Sequence, residues 1–345
     1  MIVQGDRSTS KTTSQVLPLD DDGVQTSDVP LTIVDDGAKT AFTYSAYLQD
    51  EWKLLPNLLT LNYGLRFDDL NAYRDEHQWS PRVNLVLTPF AGTTIHAGYS
   101  RYFTPPPFEL VASPTVAKFN GTTAAFPNPG PQDTPYSERS DYFDVGAEQK
   151  IGALTVGVDA YYKDIRHMID EGQFGSPIIL TPFNYAKGYI RGIEFSTNYA
   201  RGPFSAYANV AVSKVQGKDI ESSQANFDPA DLAYIADHYI YADHDQTVTA
   251  SMGASYRFGA TRVSTDLLFG TGLRRDGAVP NGDHVPSYTQ VNFGVSHDFG
   301  VVSVRADLIN AFDKTYEIRD GTGVGVGAPQ YGRRRGVFVG VTKSF

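Results

Sequence analysis

From about residue 41 onward, apolar and polar side chains alternate with a period of two in stretches about ten residues long. Leu154, Val156, Val158, Ala160 and Tyr162 fall on one face of such a stretch, with Thr155, Gly157, Asp159 and Tyr161 on the other. Val302, Val304, Ala306 and Leu308 alternate in the same way with Ser303, Arg305 and Asp307. The pattern recurs at 42–54, 58–67, 82–88, 93–103, 141–151, 189–199, 204–214, 248–258, 261–270, 287–299 and 336–345. About thirteen strands are therefore predicted, and residues 1–13 read as the end of another. Helical 3.6-residue periodicity is nearly absent. The expected fold is all-β, with a polar segment at 1–40 (a strand remnant and a loop) followed by one unit over 41–345.

The connections are expected to alternate in length. Short turns are predicted near 55–57, 89–92, 152–153, 201–203, 259–260 and 300, and long polar connections near 69–79, 104–137, 171–188, 219–246, 274–286 and 316–335. Short turns at one end and long loops at the other mark an antiparallel meander closed into a transmembrane β-barrel. The polar faces support this reading over a soluble sandwich. Arg66, Glu148, Asp159, Glu194, Arg257 and Arg305 share their faces with Gly and Ser. Burying so many ionised groups in a dry core would cost several kcal/mol each unless paired, whereas a wet or plugged lumen need not desolvate them. Trp52, Phe90, Tyr199, Phe258, Phe299 and Phe345 lie beside the short turns, and Tyr99, Phe103 and Tyr162 near the long loops, as two aromatic girdles would.

Composition narrows the function. The 345 residues include 21 Tyr, 20 Phe, 32 Gly and no Cys, and the formal net charge is -10. Absence of Cys removes disulfide scaffolds, thiolate metal sites and cysteine nucleophiles. An acidic chain lacks the basic stripe that nucleic acid requires. No stretch has the roughly 18 consecutive apolar residues of a membrane-spanning helix. Residues 1–10 show no signal-peptide pattern.

Several segments resemble TonB-dependent outer-membrane receptors: 47–54 and 59–68, a hairpin carrying Gln49-Asp50-Glu51-Trp52, then 80–89, 96–105, 159–165, 188–195, 310–316 and 336–345, in the family's order. The resemblance implies a barrel of 22 strands filled by an N-terminal plug and energised through TonB. This chain matches only the C-terminal part of that barrel, with about 13–14 of its strands and no plug or TonB-contacting box. A truncated receptor is the expectation, and truncation also accounts for the missing signal sequence. The default cargo the resemblance implies is an iron–siderophore complex, with cobalamin, other metals and glycans as alternatives, and the implied partners are outer-membrane lipid and lipopolysaccharide, TonB through the plug, and the outer-membrane assembly machinery. A stand-alone porin-like passive channel is the alternative, and a barrel enzyme a more distant one.

No catalytic constellation stands out, and no resident cofactor is expected. In 237–245, His238, Asp243, His244 and Asp245 are candidate metal ligands, because imidazole with carboxylate suits a divalent transition ion. A solvated acidic loop is the simpler reading. Arg333, Arg334 and Arg335 open the last strand and are candidates for pairing with lipopolysaccharide phosphate or an anionic ligand. The glycine-rich 321–327 lacks the Lys-Ser/Thr and following helix of a phosphate loop. The proline-rich 104–137 is expected to form a semi-rigid surface cover. Phe345, with Val341 and Val339 on its face, resembles the C-terminal signal read by the assembly machinery, departing from it at Lys343.

Overall fold

The computed structural model describes residues 2–20, 22–108, 116–125, 134–174, 179–224, 227–325 and 329–343. Its strands are β1 (Ile2–Val16), β2 (Leu31–Leu55), β3 (Leu59–Asn71), β4 (Asp75–Leu87), β5 (Thr93–Thr104), β6 (Glu138–Ile151) and β7 (Leu154–Phe174). Next come β8 (Ile179–Arg201), β9 (Phe204–Ile220), β10 (Ile240–Tyr241), β11 (Val248–Phe258), β12 (Thr261–Gly270) and β13 (Arg274–Arg275). The remainder are β14 (Asp283–His284), β15 (Tyr288–Asp298), β16 (Val302–Ile309), β17 (Glu317–Arg319), β18 (Gln330–Tyr331) and β19 (Gly336–Lys343). Fourteen long strands form one antiparallel meander in the order β1-β2-β3-β4-β5-β6-β7-β8-β9-β11-β12-β15-β16-β19, and β10 adds to β9. The path ends at β1 and β19, which do not pair with each other among the described residues.

Each turn at the short end holds one residue in the left-handed region: Asn57, Gly92, Gly152, Gly202, Gly259 and Gly300. Tight hairpins need this conformation to match the twist of their strands. At the other end, two connections read as long are in fact hairpins. β3 and β4 stay in register from Leu59↔Leu87 to Asn71↔Asp75, so residues 72–74 alone turn the chain. β7 and β8 stay paired out to Phe174↔Ile179. The polar residues at 69–71, 75–79, 171–174 and 179–188 are strand, since backbone pairing continues after the apolar face stops. β2 likewise begins at Leu31, eleven residues before its alternation is visible, and pairs with all of β1.

The apolar face is exposed. Val145, Val158, Phe195, Val263, Val295 and Val339 all count among the exposed large side chains. A continuous apolar surface of this extent is far beyond what a soluble monomer leaves to water, and lipid is the medium that covers it. Phe90, Phe258 and Phe299, at 75%, 61% and 67% exposure, ring the short-turn end.

The packed core sits at the long-connection end, between the extensions of β7, β8 and β9 and the connections beside them. Ile165, Met168, Phe183, Tyr185, Ile220, Phe227, Ile235, Ile240, Ala242 and Val324 form one buried cluster. Into it the helix α1 (Pro229–Asp237) inserts Ile235, fully buried. Asp228 caps α1 by accepting from the Ala230 N–H at 2.7 Å, and Pro229 opens it. A smaller cluster of Val16, Phe119 and Ala124 ties β1 to the segment after β5.

Candidate functional site

The register fixes which side chains share the inner face, because directly opposed residues in antiparallel strands point the same way. Arg66 lies opposite Tyr47 and Ser80, and Arg82 opposite Ser100. Glu148 lies opposite Gly157, Asp159 opposite Glu194, and Glu194 opposite Ala211. Arg257 faces Arg262, which faces Ser296, and Ser296 faces Arg305. All six polar positions singled out from the sequence therefore occupy one face, opposite to the apolar one. A cavity of about 610 Å³ runs along that face, reached by Glu148, Asp159, Glu194, Asn209, Thr249 and Ser251 from five strands. Arg66 donates to Asp68 at 2.7 Å and to Ser45 at 3.0 Å, and Arg305 to Asp307 at 2.7 Å.

Above this wall, at the long-connection end, buried charges lock the loops into a cap. The four residues proposed as metal ligands do not form one set. His238 sits at the end of α1, where its ring stacks on Tyr234 at 4.3 Å. Asp245 is fully buried and accepts from Arg274, whose guanidinium also lies 3.5 Å from the centre of the Tyr241 ring. Its other oxygen accepts from the Val215 N–H at 2.8 Å. Asp243 and His244 come together with Asp170 from β7 and Arg319 from β17, two residues no local pattern connects to them. Spacing in sequence gives no signal for such contacts; only the extension of β7 beyond the apolar band brings Asp170 there.

In this cluster Arg319 Nη1 is 3.1 Å from Asp243, and its Nη2 donates to His244 Nε2. Nδ1 of the same ring lies against Asp243. One ligand atom each from Asp170, Asp243 and His244 lies within 4.8 Å of the others, so two of the four sequence candidates stay together in an arrangement that could hold a metal ion. Asp170 Oδ1 accepts from the Glu171 N–H at 2.9 Å, while its buried Oδ2 has no hydrogen-bond partner. Burial first, and then the Asp243 charge, push its pKa up to about 7. His244 is raised above its ordinary value chiefly by its hydrogen bond to Asp243. Asn281, fully buried and left-handed, donates to the Tyr241 and Val324 carbonyls at 2.8 Å and accepts from the Val324 N–H at 2.8 Å. Three connections are thus stitched together by one amide and two ion-pair groups.

The chain matches the family described as TonB dependent receptor-like, beta-barrel, over residues 5–311. It belongs to that family. Family members are receptors and transporters of the Gram-negative outer membrane rather than enzymes. Residues of this barrel are 33% identical over 82 positions to the TonB-dependent transporter Oar of Myxococcus xanthus, covering 21% of this chain and 8% of that protein. Among solved structures, the copper transporter OprC superposes with a TM-score of 0.68 at 16% identity, covering 99% of this chain and 53% of that one. The ferric enterobactin receptor PfeA of Pseudomonas aeruginosa gives 0.63 at 16% identity, with 90% and 46% covered. The siderophore receptor PirA of Acinetobacter baumannii gives 0.64 at 17% identity, with 89% and 46% covered. The barrel described here spans about half the length of the solved structures it matches.

Of the remaining positions read from the sequence, Arg334 is held by Asp313 at 2.6 Å and Arg333 lies 5.5 Å from the Phe338 ring; these two and Arg335 are exposed. Val341 and Val339 sit opposite Val304 and Ala306 on the apolar face. Phe345 lies outside the described residues, as do 109–115 and 126–133 of the proline-rich segment.

Proposed function

We propose that this chain forms part of the barrel of an outer-membrane transporter that takes up a scarce nutrient with energy delivered through TonB, the cargo being a ferric siderophore. The observation that carries this reading is the family match over residues 5–311. The siderophore assignment draws support from PfeA and PirA, which are named as receptors for such compounds. A charged inner face is what a water-filled or plugged passage requires, and a tightly knit cap suits a binding surface at its mouth. In this reading TonB acts through a plug domain, the assembly machinery inserts the barrel by its last strand, and exposed Arg333, Arg334 and Arg335 meet lipopolysaccharide phosphates.

The test is uptake by source cells with and without an intact coding sequence, using radiolabelled ferric siderophores and a protonophore. Energised transport predicts accumulation that disappears on disruption of the sequence and on collapse of the proton gradient. Protonophore-insensitive entry lost on disruption would replace the reading with a passive channel. Accumulation unchanged by disruption for every siderophore tried rejects the cargo.

A further inference from the structure

Three adjacent strands bring a second ionisable cluster together on the inner wall. His96 on β5, Asp144 on β6 and Asp159 on β7 converge, with His96 Nε2 lying 2.8 Å from Asp159 Oδ2 and 3.2 Å from Asp144 Oδ2. All three are partly exposed, at 32%, 18% and 33% of their side chains, and His96 and Asp159 line the cavity described above. The convergence is built by glycine. Gly146 stands between His96 and Asp159 in the register, and a Cβ there would overlap both side chains. Gly98 stands opposite Asp144, whose Oδ1 lies only 2.5 Å from where the Gly98 Cβ would be. Without those two glycines the three groups could not lie across the sheet toward one point.

Charge is unbalanced at this point. The ion pairs of Asp144 and Asp159 run to His96 alone among the described residues, and Glu148 and Glu194 on the same wall have none. Arg82 lines a cavity with Asp144, and Lys163 one with Asp144, Asp159 and Glu194, yet neither is ion-paired to these carboxylates among the described residues. Lys163 is committed to Glu138 at 2.7 Å.

We propose that His96, Asp144 and Asp159 form a divalent transition-metal site on the inner wall. Each residue offers one ligand atom, and the three atoms lie within 4.8 Å of one another. An ion with metal–ligand bonds near 2.1 Å separates neighbouring ligands by about 3.0 Å at octahedral angles and about 3.4 Å at tetrahedral ones, so the Nε2–Oδ2 separations of 2.8 and 3.2 Å bracket the octahedral spacing. One imidazole and two carboxylates, with no sulfur, select a borderline divalent ion such as Zn²⁺ or Co²⁺ over Cu⁺. Water from the cavity completes the coordination. The ion would sit where His96 Nε2 now meets the two carboxylates. The site stands on the wall itself and does not depend on energised uptake.

The full chain in detergent micelles, folded as judged by heat-modifiable gel mobility, is titrated with Co²⁺ and read by visible absorption, then with Zn²⁺ in competition. One saturable site per chain is expected. His96→Gln and Asp159→Asn should each weaken it by at least about tenfold, while Glu148→Gln leaves it nearly unchanged. Gly146→Ala keeps every ligand yet should weaken binding by forcing His96 and Asp159 apart. A wild-type measurement covers the case of variants that do not fold: Zn²⁺ should protect His96, located by peptide mass, from diethyl pyrocarbonate. Equal affinities in wild type and His96→Gln, or His96 labelling unaffected by Zn²⁺, would show an ion pair only and overturn the proposal.

Discussion

Asp245 receives both Nε and Nη2 of Arg274 on a single carboxylate oxygen, at 2.9 and 2.8 Å, with 0% and 7% of the two side chains exposed. The pair joins the connection before β11 to the one after β12, and it is the most deeply buried ion pair in the cap. Breaking it strands a charge. Asp245→Ala should cost the cap about 3–5 kcal/mol, because Arg274 would stay buried without a counter-ion. Limited proteolysis should then cut within 221–247 and 271–287 while the barrel band stays intact. A wild-type digestion pattern would show the pair to be dispensable.

Asn281 predicts a related but separable loss. Asn281→Ala removes two donors and one acceptor from buried backbone partners and places a Cβ-bearing residue without a polar side chain in the left-handed region. Each orphaned buried group costs about 1–3 kcal/mol. Gly321–Val324 should become protease-sensitive, and a substitution that leaves it resistant would remove Asn281 from the role of stitch.

The facing assignment gives a graded test. Val158 is four residues inside the start of β7 on the lipid side, whereas Val304 is two residues inside the start of β16. Arg at Val158 should cost about 2–4 kcal/mol, and Arg at Val304, nearer the interface, closer to 0–1. Ser303 on the inner face is the matched control. Gly157 is unsuitable, since a Cβ there would stand 2.6 Å from Ser196 Oγ. Folding midpoints in lipid vesicles that are equal for Val158→Arg and Ser303→Arg would overturn the assignment.

Acid should tighten the cap. Asp170 has a folded pKa of about 7 against an ordinary 3.8, raised by burial and then by Asp243, and His244 is raised as well. A raised folded pKa stabilises most below the unfolded value and loses that stability as pH rises through the folded one. Resistance of the cap to protease should therefore fall between about pH 4 and pH 7 as Asp170 ionises beside Asp243. Asp170→Asn, which stays neutral, should flatten this dependence; an unchanged slope in the variant would assign it to other groups.

The C-terminal strand carries a test of assembly. Val341 and Val339 lie on the apolar face beside Val304 and Ala306, and Phe345 continues their alternation in sequence. Deleting Phe345 should impair insertion by the assembly machinery in proteoliposomes far more than spontaneous folding into micelles. Equal losses in both would leave Phe345 an interfacial anchor and nothing more.

Period-two alternation was enough to set the meander and the short turns, and to put Arg66, Glu148, Asp159, Glu194, Arg257 and Arg305 on the face opposite the apolar one. Facing is a local property, fixed for each residue by its neighbours along the strand once one face meets lipid. Local patterning could not set where strands end. Residues 69–79 and 171–188 look like loop because alternation stops when lipid no longer contacts the face, yet backbone pairing carries on in water as far as Asn71↔Asp75 and Phe174↔Ile179. Nor could it join Asp170 to Asp243, Asp245 to Arg274, or His96 to Asp144 and Asp159. These are contacts between segments far apart in sequence or on neighbouring strands, set by register and by two glycines that leave room for side chains to cross. The alternation is dictated by the solvent on each face; the charge clusters depend on which strands lie side by side, and only the tertiary structure decides that.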